Sequence, residues 1–294
     1  VTTSTIADPS VAELEELARQ ARVHIIKAIA NANGGHLGGP LSATDMLTAL
    51  YFKVLDIHPD RPDWEDRDRF VLSKGHSSIA LYTQLAMRGY FPTEELMTFD
   101  AIDSRLQGHP DMTLTPGVDM SSGSLGLGLT GGLGIAMGGR AAGKDFTTYV
   151  MLGDGECNEG SVWEAAHVAE RYALDNIVVI VDHNKLQQFG WHGDTVAERL
   201  PSYTGTQLFD RWSAFGWHTL EMDGHDMADI LETLEAAKAH EGGPVAIIAH
   251  TVKGKGVSFM EGNYLWHARV PNAEEFDIAM TELGEQVSGQ GGAA

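Results

Sequence analysis

Two spacings of apolar residues alternate along the middle of the chain. YVML at 149–152 and IVVIV at 177–181 are unbroken apolar runs, the pattern of strands covered on both faces. Residues 217–222 and 244–250 read as two more strands, and residues 207–215 and 227–240 between them as helices. Strand and helix in turn from residue 146 to 250 predict an α/β fold, a parallel sheet flanked by helices on both faces. Upstream, Leu14, Leu17, Ala21, Ile25 and Ile29 form a helical stripe begun by Asp8-Pro9. Residues 42–55 read as a second helix with Ser42 and Asp45 as its capping box, FVL at 70–72 as a brief strand leading into a helix over 79–88, and residues 273–283 as the last helix. A helix running through Gly139 holds Gly128, Gly131, Gly132, Gly134 and Gly138. Each glycine costs about 0.8–1 kcal/mol relative to alanine, so this helix is expected to lie against another backbone or a subunit. Neither an internal repeat nor a long linker interrupts the pattern. One domain over residues 11–283 is predicted, between flexible segments at 1–10 and 284–294.

Composition changes this picture mainly by exclusion. A formal charge of −21 repels nucleic acid and anionic membrane surfaces, so neither is an expected partner. The apolar runs are too short to span a bilayer, and Val1 to Ser10 has no apolar signal core. The single cysteine, Cys157, permits no internal disulfide and fits a reducing, cytoplasmic location. With no basic neighbour in its turn it reads as a packing residue rather than a nucleophile.

The chemistry gathers where the strands end. Gly153-Asp154-Gly155 closes the first apolar run, and Asn184 follows the second, thirty positions after Asp154. Two parallel strands joined by one helix bring both oxygen donors to the carboxyl edge of the sheet, where open α/β folds bind ligands. A carboxylate, an amide oxygen and a backbone carbonyl suit Mg2+, which keeps positions open for phosphate oxygens. A lone Gly-Asp-Gly is also the composition of an ordinary turn. Lys74 and His76 lie between a strand end and a helix start, a position favourable to anions and equally the place of a cap. His36 sits in the glycine-rich loop NGGHLGGP at 33–40, and TVKGKG at 251–256 is a basic turn.

Taken together, GDGECNEGSVWE at 153–164, RDRFVLSKGH at 67–76, GSLG at 123–126 and TVKGKGVSFM at 251–260 resemble the N-terminal half of transketolase, in the form that is split into two polypeptides. The likeness covers nearly the whole chain. It implies the thiamine diphosphate-binding fold, with thiamine diphosphate and Mg2+ as cofactors. Asp154, Asn184 and the Leu186 carbonyl would hold the metal. Gly155, Lys74, His76, Lys253 and His267 would surround the diphosphate, with Gly123, Ser124 and Leu125 lining the cofactor. His36, His109 and His267 would face the sugar, and Glu159 and Glu164 would link paired sites across a subunit interface. The implied reaction moves a two-carbon ketol unit from a ketose to an aldose, carried as a dihydroxyethyl unit on the cofactor. The glutamate that activates the pyrimidine belongs to a second domain that the chain is too short to contain. A C-terminal partner subunit, an α2β2 assembly and sugar phosphate substrates are therefore expected. Ala268 and Pro40 depart from the family pattern, which commonly has glycine and serine there. The alternative readings are a carboligase acting on an α-keto acid and a non-catalytic cofactor-binding subunit.

Overall fold

The computed structural model describes residues 8–187 and 205–285. The tail expected from residue 284 and the first segment, 1–10, lie mostly outside the described residues. In chain order the elements are α1 (Val11–Ala32), α2 (Gly38–Ala49), β1 (Arg69–Leu72), α3 (Ser78–Arg88), α4 (Leu127–Ala141), β2 (Thr148–Gly153), α5 (Gly160–Arg171), β3 (Ile177–His183), α6 (Gly205–Ala214), β4 (His218–Asp223), α7 (Met227–Ala239), β5 (Val245–His250) and α8 (Ala273–Glu282). The five strands form one sheet in the order β1-β2-β3-β5-β4, and every pairing is parallel.

The continuous apolar runs are explained by two cores. Side chains alternate across the sheet, so Leu72, Tyr149, Met151, Val178, Ile180, Ile247 and Ala249 pack into one cluster with residues of α1, α2, α3, α7 and α8. Val71, Val150, Leu152, Val179, Val181, Ala246 and Ile248 pack into the other with residues of α4, α5 and α6. Both faces are covered, as expected for a parallel sheet. Cys157 belongs to the second cluster and is fully buried, and burial pushes its thiol well above the usual range. It is a packing residue.

Two helices refine the sequence-based expectations. α2 begins at Gly38, four residues earlier than expected, because Pro40 is tolerated in a first helical turn, where no intrahelical N–H partner is required. Ser42 and Asp45 are then interior to a fully buried helix and form no capping box. Ser42 donates to the Gly39 carbonyl and to Asp182, and Asp45 takes Arg22 and His225. The close packing expected of α4 holds on one side only. A Cβ on Gly128 would lie 2.5 Å from Ser73 Cα, and one on Gly132 would lie 2.5 Å from Val150 Cγ2, whereas Gly134 and Gly138 meet nothing within 4 Å.

Candidate active site at the carboxyl edge of the sheet

Parallel register sets the site. Gly153 pairs with Asp182 across β2 and β3, so the chain leaves both strands at one level. Asp154 lies just beyond, 2 % exposed, with Oδ1 accepting the Gly155 N–H (2.8 Å) and Oδ2 the Lys185 N–H (2.7 Å). Burial, with the Asp182 charge behind it, pushes its carboxyl up to about 6. Asn184 follows β3 and orders its own turn by accepting the Leu186 N–H at Oδ1 (3.3 Å). A buried carboxyl so poised ionises fully once a cation sits against it. With an amide oxygen on the neighbouring loop, the donors are hard oxygens, and they fit a small divalent ion.

Asp182 is the organising charge beneath this edge. Its carboxylate is fully buried and accepts from the Lys74 ammonium, from Ser42 Oγ (2.6 Å), from Thr251 Oγ1 and, at 3.4 Å, from Asn184 Nδ2. Burial alone would raise it, but the Lys74 charge and these donors outweigh burial and hold it below the ordinary carboxylate range. Glu156 acts similarly between segments. Oε1 accepts from Ser73 Oγ and the Gly126 N–H (2.8 Å), and Oε2 accepts the Gly153 N–H (3.1 Å). It thereby ties the strand end before Lys74, the GSLG turn and the Gly-Asp-Gly turn together.

Three imidazoles stand over the other wall. The rings of His36 and His76 are 5.1 Å apart, His36 and His267 5.1 Å, and His76 and His267 5.2 Å, with His109 at 6.4 Å from His36. Burial and the charge of Lys74 push His76 down to about 2, and burial with the charge of Lys253 pushes His267 down to about 3. Both are therefore neutral rings near pH 7. Lys253 Nζ lies 2.9 Å from His267 Nδ1, so the ammonium donates there and the ring proton of His267 sits on Nε2. Burial lowers Lys253 to about 8.

These groups face one cleft of about 440 Å³, lined by His36, Lys74, His76, Gly123, Leu125, Asp154, Gly155, Asn184, Lys253 and His267, and also by Glu159. His109 adjoins it across Gly123, where an added Cβ would lie 3.5 Å from its ring. Ser124 is exposed beside the cleft without lining it, and Leu186 is buried next to Asn184. Glu164 stands exposed further along α5, away from the cleft, and so is not brought together with the rest. Asp182 and Glu156 were not singled out by sequence reasoning, although both lie inside the stretches that carried it. Their only local signal is an acidic residue directly after an apolar run.

Fold and site together define an α/β protein that binds an anionic ligand, bridged by a metal, at the carboxyl ends of parallel strands. The chain matches the family described as transketolase, thiamine diphosphate binding domain, over residues 14–288. It is 42 % identical over 277 residues to one of the two apulose-4-phosphate transketolase subunits of Phocaeicola vulgatus, covering 94 % of this chain and 96 % of that protein. It is 40 % identical over 274 residues to a 6-deoxy-6-sulfo-D-fructose transketolase subunit of a Clostridium species, covering 93 % and 97 %. Among solved structures, transketolase of Campylobacter jejuni superposes with a TM-score of 0.85 at 32 % identity, over 94 % of this chain but only 43 % of that one. The chain therefore belongs to the transketolase thiamine diphosphate-binding domain family, and it spans less than half of the solved transketolase. Among the described residues no helix is long and apolar enough to cross a membrane.

Proposed function

We propose that this chain is the diphosphate- and Mg2+-binding subunit of a two-chain transketolase, moving a two-carbon ketol unit from a ketose to an aldose. One observation carries the reading: two lysines, three mutually packed histidines, Asp154 and Asn184 converge on a single cleft at the strand ends. Asp154, Asn184 and the Leu186 carbonyl would hold Mg2+. Lys253 would meet the diphosphate. Lys74 is neutralised by Asp182 beneath it, so Lys253 brings the less compensated charge. Thiamine diphosphate, when bound, supplies the electron sink for cleaving and forming the carbon–carbon bond.

The protein's own part is to orient and to move protons. Neutral His76 and His267 can each donate one hydrogen bond to a sugar oxygen without holding a fixed charge, and His36 and His109 extend that row outward. Donors placed against a developing alkoxide stabilise it most when the site excludes water. A second polypeptide is part of the reading. The relatives that the chain covers almost fully are named as subunits, and the groups that would activate and stack a pyrimidine do not line this cleft. Both of those relatives are named for ketoses bearing an anionic group, which supports an anionic sugar as substrate here.

The test is to isolate the chain with its copurifying partner and follow aldose release from a ketose phosphate, adding thiamine diphosphate and Mg2+. Activity is expected from the pair, and none from the chain alone or from a pair carrying Asp154→Asn. Ketol transfer by the lone chain at the rate of the pair overturns the two-chain reading. A pair that fails to bind thiamine diphosphate overturns the whole of it.

A further inference from the structure

Lys253 sits on a turn whose peptide groups are held from several directions. The Thr251 N–H donates to the His183 carbonyl (3.2 Å), Gly254 N–H to the Gly38 carbonyl (3.0 Å), and Gly262 N–H to the Lys253 carbonyl (2.9 Å). Two further anchors meet at one carboxylate. His225, between β4 and α7, accepts the Val252 N–H at Nε2 (2.8 Å) and faces Asp45 Oδ2 through Nδ1 (2.7 Å). Because Nε2 accepts, the ring proton is on Nδ1 and is donated to Asp45. Arg22 of α1 gives the same carboxylate two hydrogen bonds, at 2.9 and 2.5 Å, and sends Nε to the Lys255 carbonyl (3.1 Å). Val252 and Lys255 are the ends of one turn, closed by the Lys255 N–H on the Val252 carbonyl at 3.2 Å. Asp45 thus holds two side chains, one gripping each end of a four-residue turn with Lys253 inside it.

Arg22 and Asp45 are each only 7 % exposed. A buried charged cluster of this kind is often no more stabilising than apolar residues of the same shape, and none of the three lines the cleft. Fold stability alone therefore leaves the cluster unexplained. We propose that Arg22, Asp45 and His225 are positioning residues that fix the Val252–Lys255 turn so that Lys253 is aimed at diphosphate oxygens. The inference rests on the diphosphate reading of the cleft.

The full-length chain is titrated with inorganic diphosphate and Mg2+ by calorimetry. His225→Phe, which removes both ring contacts, is expected to weaken binding about 10- to 100-fold, the range seen when residues that orient ligand-binding groups are lost. His225→Gln, whose amide can accept from Val252 and donate to Asp45, is expected to recover much of it. In a Lys253→Met background, His225→Phe is expected to make no further difference, since the cluster acts through Lys253. If His225→Phe fails to fold, Asp45→Asn, which keeps the shape and removes the charge, carries the same comparison. Equal losses with and without Lys253, or unchanged affinity in His225→Phe, overturn the inference alone. No binding by the unsubstituted chain overturns the diphosphate reading and the inference with it.

Discussion

Replacing Asp182 by asparagine keeps its volume and removes its charge from a place with no access to water. Lys74 is 1 % exposed and Asp182 fully buried, and the ammonium has only the Gly39 carbonyl, at 3.1 Å, as its other hydrogen-bond partner. Breaking a buried pair by removing one partner costs about 3–5 kcal/mol, because the remaining charge stays buried. That is a large part of the roughly 5–15 kcal/mol that holds a domain folded. In thermal melts of the full-length chain the midpoint is expected to fall by on the order of 10 °C. Adding Lys74→Met removes the stranded charge, so the double variant is expected to recover most of the lost stability. Its affinity for inorganic diphosphate should stay low, because a cation at the base of the cleft has gone. A single variant within about 1 kcal/mol of the parent, or a double variant that binds diphosphate normally, would refute the account of Asp182 as the group that keeps Lys74 charged and in place.

Other consequences follow from particular contacts. Gly132→Ala gains about 0.8–1 kcal/mol of helix propensity but drives a Cβ to 2.5 Å from Val150 Cγ2, an overpacking cost of about 1–3 kcal/mol. It should destabilise in denaturant titration, while Gly138→Ala, which meets nothing within 4 Å, should stabilise by up to about 1 kcal/mol. Lys253 loses its proton as pH rises through about 8, so the affinity of the Mg2+-free chain for inorganic diphosphate should fall above that pH in calorimetry, and a flat profile in Lys253→Met would assign the effect to this residue. Cys157 is fully buried and its thiol is raised, so a thiol reagent should label the chain only after unfolding, and rapid labelling of the native chain would contradict its place in the core.

The strands and the site edge were legible because their causes are local. An unbroken apolar run is what a strand covered on both faces requires, and Gly-Asp-Gly and Asn184 directly follow two such runs. Once β2 and β3 pair in parallel, Asp154 and Asn184 can hardly avoid one another. The glycines of α4 were legible for a similar reason, since repeated helix-breaking residues need a close neighbour to justify them. Gly128, Gly132 and Gly139 have one. Gly134 and Gly138 have none among the described residues, and the structure offers no account of them.

What stayed hidden depends on partners far away in sequence. Asp182 is defined by Ser42, Lys74 and Thr251, which are 140, 108 and 69 residues distant. No window along the chain contains more than one of those pairings, so the residue read only as the end of a strand. Asp45 shows the same blindness in sharper form. Three residues after Ser42 it satisfies a capping pattern, yet its carboxylate is committed to Arg22 and His225, 23 and 180 residues away. Local rules treat a polar residue near a helix start as a cap because an exposed one has nothing better to bond. A buried one must be satisfied by whatever the fold brings to it. The acids that organise this site are therefore the ones whose local pattern says least, and burial, rather than motif, distinguishes Asp182, Glu156 and Asp45 from the exposed Glu164 that a motif alone had placed among them.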